Sequence, residues 1–196
     1  MLIDRTWIGV DDPGRTDRAV LSVDAGGIRG HGSSTTAGYA LAWRLDVDER
    51  WTTRLLEVAV QGDGWSRSLR LERSDAGRWR ADAEARGERR LPPPGLADPD
   101  VVAGAVDCDL GLCPVTNTMP IRRLGLLDGP VAETAIVAAW VEVPSLRVLR
   151  DVQLYASDAA GRVQYASADR SFAATLTIDA DGVVLDYEGL ARVRDP

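Results

Sequence analysis

The sequence has no lysine, one histidine (His31) and two cysteines, Cys108 and Cys113. A single histidine excludes catalytic sites that need two or three. Two cysteines cannot define a disulfide framework, and a zinc site would need carboxylates to complete four ligands. We therefore expect two reduced thiols and neither a metal nor a cofactor. His31 stands among glycines and serines, which predicts a solvated loop rather than a catalytic triad.

Long apolar runs are also missing. No stretch approaches the roughly 20 apolar residues of a membrane span, and residues 1–12 lack the apolar segment of a secretory signal. The expectation is a cytoplasmic protein without a transmembrane segment. The chain carries 23 basic and 30 acidic residues, a formal net charge of -7. This balance excludes a general binder of nucleic acid or of anionic membranes, since such partners demand a basic face.

What the sequence does contain is alternation of apolar and polar residues with a period of two. Its 196 residues fit one domain, residues 1–196, large enough for a full core. Half-buried strands are predicted at 39–47, 56–60, 65–71, 172–178 and 183–187. Short strands separated by turns indicate an all-β, antiparallel fold. Val131–Val143 permits a helix or a strand, and Arg86–Pro99 reads as a long loop within the domain.

The segment Gly104–Leu124 is the most informative part of the chain. On a strand, Asp107 and Asp109 would face the same side. Pro114 and Pro120 predict an extended or turning backbone between them, with Thr116 and Asn117 offering hydrogen bonds. A strand beginning at Ile121 would place Arg122 and Arg123 on opposite faces. One guanidinium would then point inward, with Asp107 or Asp109 as its partner.

This segment resembles the signature of a glycolipid-binding family previously catalogued as a domain of unknown function. The family pattern looks like Asp-x-Asp-Leu followed by Pro-x-Thr-Asn-Thr-Leu-Pro-Ile-Arg-Arg-Leu, and Met119 replaces its leucine here. Trp51-Thr52-Thr53-Arg54 and Gln153-x-Tyr155 are similar to further family positions. The resemblance covers roughly residues 38–194.

The resemblance implies an antiparallel β-roll or open barrel, similar to lipoprotein-carrier folds, with few short helices. Its implied function is non-enzymatic binding of a glycolipid or similar amphiphile in an apolar interior, with a polar head-group site at the mouth. Candidate ligand-binding residues come from the motif and from the flanking similarities. They are Asp107, Asp109, Thr116, Asn117, Arg122, Arg123, Trp43, Trp51, Arg54, Gln153 and Tyr155.

Two other functions stay open. Asp107 and Asp109 could serve a carboxylate-dependent hydrolase or transferase acting on a glycoside or lipid ester. A matched acid with a raised pKa beside Asp107 would favour that reading. Alternatively, the motif could form an ion-pair and turn network that only stabilises a structural or interaction module.

Overall fold

The structure is a computed structural model that describes residues 1–87, 90–159 and 162–194. Fourteen strands dominate it. They are β1 (Leu2–Gly9), β2 (Thr16–Asp24), β3 (Gly27–Thr35), β4 (Ala40–Val47), β5 (Thr53–Gly62), β6 (Trp65–Arg73), β7 (Trp79–Gly87), β8 (Asp107–Leu110), β9 (Val131–Val141), β10 (Val148–Ala159), β11 (Arg162–Ser167), β12 (Ala173–Ile178), β13 (Val184–Tyr187) and β14 (Ala191–Val193). The helices are one α-helix, α1 (Thr118–Arg123), and two 3₁₀ helices, Pro99–Val102 and Pro114–Asn117.

All the strands form one open sheet, in the order β7 to β1 and then β14 to β8. Neighbouring strands are antiparallel except β8 and β9, which are parallel. The sheet curls so that its edge strand β8 returns to β5. There the amide of Thr53 donates to Val106 O at 3.1 Å, and Thr53 Oγ1 accepts from the amide of Cys108 at 2.9 Å. The predicted all-β roll with few short helices is confirmed.

The first half of the roll packs the alternating apolar side chains that the sequence displays. Strand β3 has no such alternation, because its inner positions are partly glycine. A β-carbon on Gly32 would lie 2.5 Å from the Trp43 ring, and one on Gly30 would lie 2.4 Å from Leu21. Large neighbours thus fill the space that these glycines leave. The prediction of a loop around His31 was wrong: His31 is exposed, but it lies within β3.

The segment 114–123 is helical. Of the predicted extended or turning backbone, the turning form is present, and the prediction of a strand at Ile121 was wrong. Pro114 occupies the first position of the 3₁₀ helix, and Pro120 lies in the first turn of α1. Amides in a first turn have no partner within the helix, so proline costs little there. Both arginines therefore end α1, and their directions follow helical geometry rather than strand alternation.

The ambiguous segment Val131–Val143 is largely strand, since β9 covers Val131–Val141. Its β-branched residues outweigh its alanines, as expected for a strand packed between two others. The predicted loop Arg86–Pro99 begins at the end of β7, and Glu88 and Arg89 lie outside the described residues. The inner side chain of Arg67 reaches this loop and donates to Pro92 O at 2.7 Å. In the described part of the chain, no helix has the length and apolarity to cross a membrane.

Candidate functional site

The two aspartates of β8 hold the helical segment 114–123 at its two ends. At the far end, the guanidinium of Arg123 donates to both carboxylate oxygens of Asp107. The Asp107 side chain is only 2% exposed, against 22% for Arg123. Burial raises the pKa of Asp107, and the bonds from Arg123 oppose that rise. The predicted pairing of one arginine with one of these aspartates is therefore present, although the arginine lies on a helix and not on a strand.

At the near end, Asp109 accepts two hydrogen bonds. Thr116 Oγ1 donates to Asp109 Oδ1 at 2.7 Å, and Gln153 Nε2 donates to Asp109 Oδ2 at 2.6 Å. Burial is the largest cause of a shift that raises the pKa of Asp109 to about 6. The two donors favour the ionised form but do not outweigh the desolvation.

Tyr155 extends these contacts into the second half of the sheet. Its hydroxyl donates to Asn117 Oδ1 at 2.9 Å and lies 3.2 Å from Gln153 Oε1. Seven of the candidate residues thus make hydrogen bonds here, in two groups that share strand β8 and the helical segment, and we call the two groups together the polar network. One group is the pair Asp107 and Arg123, and the other is the set Asp109, Thr116, Asn117, Gln153 and Tyr155.

The chemistry of the polar network bears on the hydrolase or transferase reading. Asp109 is an acid with a raised pKa on the same short strand as Asp107, which is the feature that reading looks for. However, each oxygen of both carboxylates already accepts a hydrogen bond from a protein side chain. Burial explains the raised pKa without a catalytic role, and the bonds to these oxygens are those of an internal structural contact.

Trp51 lies in the tight turn between β4 and β5. Asp48 builds this turn, because its Oδ1 accepts from the amides of Arg50 at 3.0 Å and Thr52 at 2.9 Å. The backbone of Trp51 is left-handed, with φ 59°, a conformation that costs a non-glycine residue about 1 kcal/mol or more. The Trp51 side chain is half-buried and packs against the edge of the hydrophobic core.

Arginine side chains surround this turn. The Arg122 guanidinium stacks on the Trp51 ring, with Cζ 4.6 Å from the ring centroid, which is cation–π geometry. Arg123 Nη1 donates to Trp51 O at 3.0 Å. Arg54 pairs with Asp48 at 2.9 Å and with Asp75.

Arg73 is a neighbour that sequence reasoning missed. Its Nε donates to Ala105 O at 3.1 Å, and burial together with the charge of Arg54 lowers its pKa. A signal was present, since Arg73 continues the apolar register of Leu69 and Leu71 in β6. We call Trp51, Arg54, Arg73 and Arg122 the arginine surface.

Comparisons with known proteins agree with the motif. The family described as "Putative glycolipid-binding" matches residues 4–193. The chain belongs to this glycolipid-binding family. A solved structure, the crystal structure of a DUF1089 family protein from Pseudomonas aeruginosa, is similar to it. The two chains are 30% identical, the match covers 90% of this chain and 91% of that one, and the TM-score is 0.69. Among curated proteins, none matches.

Trp43, which was predicted as a ligand-binding residue, lies in the apolar core at 7% exposure. It also lines an open groove of about 890 Å³ along strands β4 to β7. Beside Trp43 lies a narrow cavity of about 20 Å³, lined by Trp7, Leu41, Trp43 and Leu110 among others. That is room for about one water molecule. The roll as described does not hold an acyl-chain cavity at this place.

Proposed function

We propose that the protein binds the head group of a glycolipid or similar amphiphile, without altering it chemically, at the arginine surface. One observation carries the proposal: Arg122 stacks on the half-buried Trp51 ring and has no ion pair among the described residues. The next residue, Arg123, donates to both carboxylate oxygens of Asp107 and to the Trp51 carbonyl. A guanidinium held in place but without a carboxylate is prepared to donate to a ligand.

The donor geometry suits a sugar-bearing head group. A guanidinium offers five N–H donors in a fixed plane, which matches the many oxygen acceptors of a glycan. Packing on Trp51 limits the rotamers of Arg122, so less entropy is lost when a ligand binds. The stem of Arg122 is also confined by the turn at Gly182, where an added β-carbon would lie 3.2 Å from Arg122 Cδ.

The acyl chains belong outside the roll in this proposal. The resemblance implied an apolar interior as their site, but the cavity beside Trp43 has only about 20 Å³. Packing an acyl chain there would require the core to open. We therefore propose that the protein recognises the head group of an amphiphile whose chains remain in a bilayer or micelle.

Lipid extraction tests this function directly. Purified protein, incubated with a bacterial lipid extract and re-isolated, should retain amphiphiles that mass spectrometry identifies. Arg122→Gln should lose them. Arg162→Gln is the matched control, because Arg162 is exposed and has no ion pair within the described residues. Retention of no amphiphile by the unmodified protein would contradict the proposal.

A second candidate is the hydrolase or transferase, favoured by the pKa of about 6 at Asp109. It requires turnover on a panel of glycosides and lipid esters that disappears in Asp109→Asn. The engaged oxygens of both aspartates lead us to expect no turnover. If neither binding nor turnover is found, the remaining function is a structural or interaction module.

A further inference from the structure

Positive charge is concentrated around the Trp51 turn of an acidic chain. Four guanidinium groups and four carboxylates lie around this turn, so the region is close to neutral where the whole chain has a net charge of -7. The arginines are Arg54, Arg73, Arg122 and Arg123, and the carboxylates are Asp48, Glu49, Asp75 and Asp107. The Asp75 side chain is 94% exposed, so water and salt screen its charge.

Two of the four arginines have no carboxylate partner among the described residues. Arg73 uses its Nε on the Ala105 carbonyl, which leaves both of its Nη groups. Arg122 stacks on Trp51 and makes no ion pair there. Arg73 is partly buried, and the positive charges of Arg54 and Arg123 act against its own. Unmatched, partly desolvated positive charge of this kind is costly, and an anion would relieve the cost.

We infer that the arginine surface binds an oxyanion, such as a sulfonate, phosphate or carboxylate, so that the head group recognised by the protein is acidic. This inference rests on the proposed function for its lipid part. Guanidinium groups bind oxyanions through paired N–H donors. The net charge of -7 opposes a long polyanion such as nucleic acid and general adhesion to an anionic surface. The site therefore fits a single charged group on a small head group.

Three vesicle preparations separate charge from sugar. Phosphatidylcholine vesicles carry an equal mole fraction of neutral galactosyl diacylglycerol, anionic sulfoquinovosyl diacylglycerol or anionic phosphatidylglycerol. Co-sedimentation measures binding by the full chain, and inorganic phosphate serves as a competitor. We expect binding to the sulfoquinovosyl vesicles alone, weakened by phosphate and by added salt.

Variants assign that binding to the two free arginines. Arg73→Gln and Arg122→Gln should each weaken binding to the sulfoquinovosyl vesicles roughly tenfold to a hundredfold, the range expected for a hydrogen bond to a charged group. Arg162→Gln should leave it unchanged. Circular dichroism and thermal melts establish that each variant is folded. Equal weakening by Arg162→Gln would overturn the assignment, since the effect would then be one of net charge.

The remaining outcomes separate this inference from the proposed function. Equal binding to the neutral galactosyl vesicles would overturn the acidic head group and leave the proposed function standing. Equal binding to phosphatidylglycerol would support the oxyanion site and contradict recognition of a sugar. Binding of inorganic phosphate without any vesicle binding would support the oxyanion site and overturn the proposed function. Binding of nothing would overturn both.

Discussion

Arg122 and Arg123 are neighbours at the end of one short helix, yet their guanidinium groups lie in opposite surroundings. Arg123 belongs to the polar network, where its partner Asp107 is 2% exposed. Arg122 belongs to the arginine surface, where it stacks on Trp51 without a carboxylate. Arg123 thus has a buried carboxylate partner, while Arg122 has none among the described residues. In our proposal, Arg123 belongs to the scaffold of the motif and Arg122 to its binding group.

The largest effect expected from breaking the network is that of Arg123→Ala. It leaves the buried Asp107 carboxylate without its partner, which costs about 3–5 kcal/mol of unfolding free energy. Urea denaturation followed by tryptophan fluorescence measures the loss. Arg162→Ala, an exposed arginine without an ion pair in the described residues, is the matched control. A loss below about 1 kcal/mol, the range of an exposed ion pair, would show that the Asp107–Arg123 pair does not stabilise the fold as a buried ion pair does.

The next largest effect is a dependence of stability on pH that comes from Asp109. Its folded-state pKa of about 6 lies above its ordinary value of 3.8, so the folded state holds this proton more tightly than the unfolded state. The contribution of this proton to the unfolding free energy is present below about pH 4 and is lost as the pH rises through 6. The shift corresponds to about 3 kcal/mol.

Asp109→Asn isolates this contribution from that of Asp107. The unfolding free energy of the unmodified protein should fall, relative to the variant, between pH 4 and pH 7. A constant difference between the two proteins across this range would show that Asp109 titrates as an ordinary carboxyl group.

A smaller effect is expected from Tyr155→Phe. Removing the hydroxyl leaves Asn117 Oδ1 without its donor at 2.9 Å, which costs about 1–3 kcal/mol. Tyr187→Phe is the control, because the Tyr187 hydroxyl makes no hydrogen bond among the described residues. If chemical denaturation gives equal losses of unfolding free energy for both variants, the hydrogen bond from the Tyr155 hydroxyl does not stabilise the protein.

The smallest effect on stability is expected from Arg122→Gln. A cation–π contact between half-buried side chains near the surface contributes about 1 kcal/mol, and no buried carboxylate is left behind. Thermal melts should therefore place this variant close to the unmodified protein and far above Arg123→Ala. A loss of stability as large as that of Arg123→Ala would show that Arg122, like Arg123, has a structural role.

Much of the fold could be predicted from the sequence, because strands with one buried face show their period directly. Strands β4, β5, β6, β12 and β13 are examples. Strand β3 could not be predicted, since Gly30 and Gly32 supply the inner positions and the apolar groups come from Leu21 and Trp43 on neighbouring strands. The pattern within one segment does not reveal that side chains from neighbouring strands fill the space above its glycines.

The site was predictable in membership but not in geometry. The motif predicted that either Arg122 or Arg123 would pair with Asp107 or Asp109, and the structure shows the pair Arg123 and Asp107. The prolines predicted an extended or turning backbone, and the structure places both of them in the first turns of helices. Arg73 was passed over, because a lone arginine at an apolar position does not show from sequence which charges will surround it.

The most direct test of the account is a paired measurement on Arg122→Gln, in which the melting temperature and the binding to sulfoquinovosyl diacylglycerol vesicles are recorded on the same preparation. The account predicts a melting temperature close to that of the unmodified protein and a loss of binding of roughly tenfold or more. Binding that persists in a stable Arg122→Gln protein would contradict it.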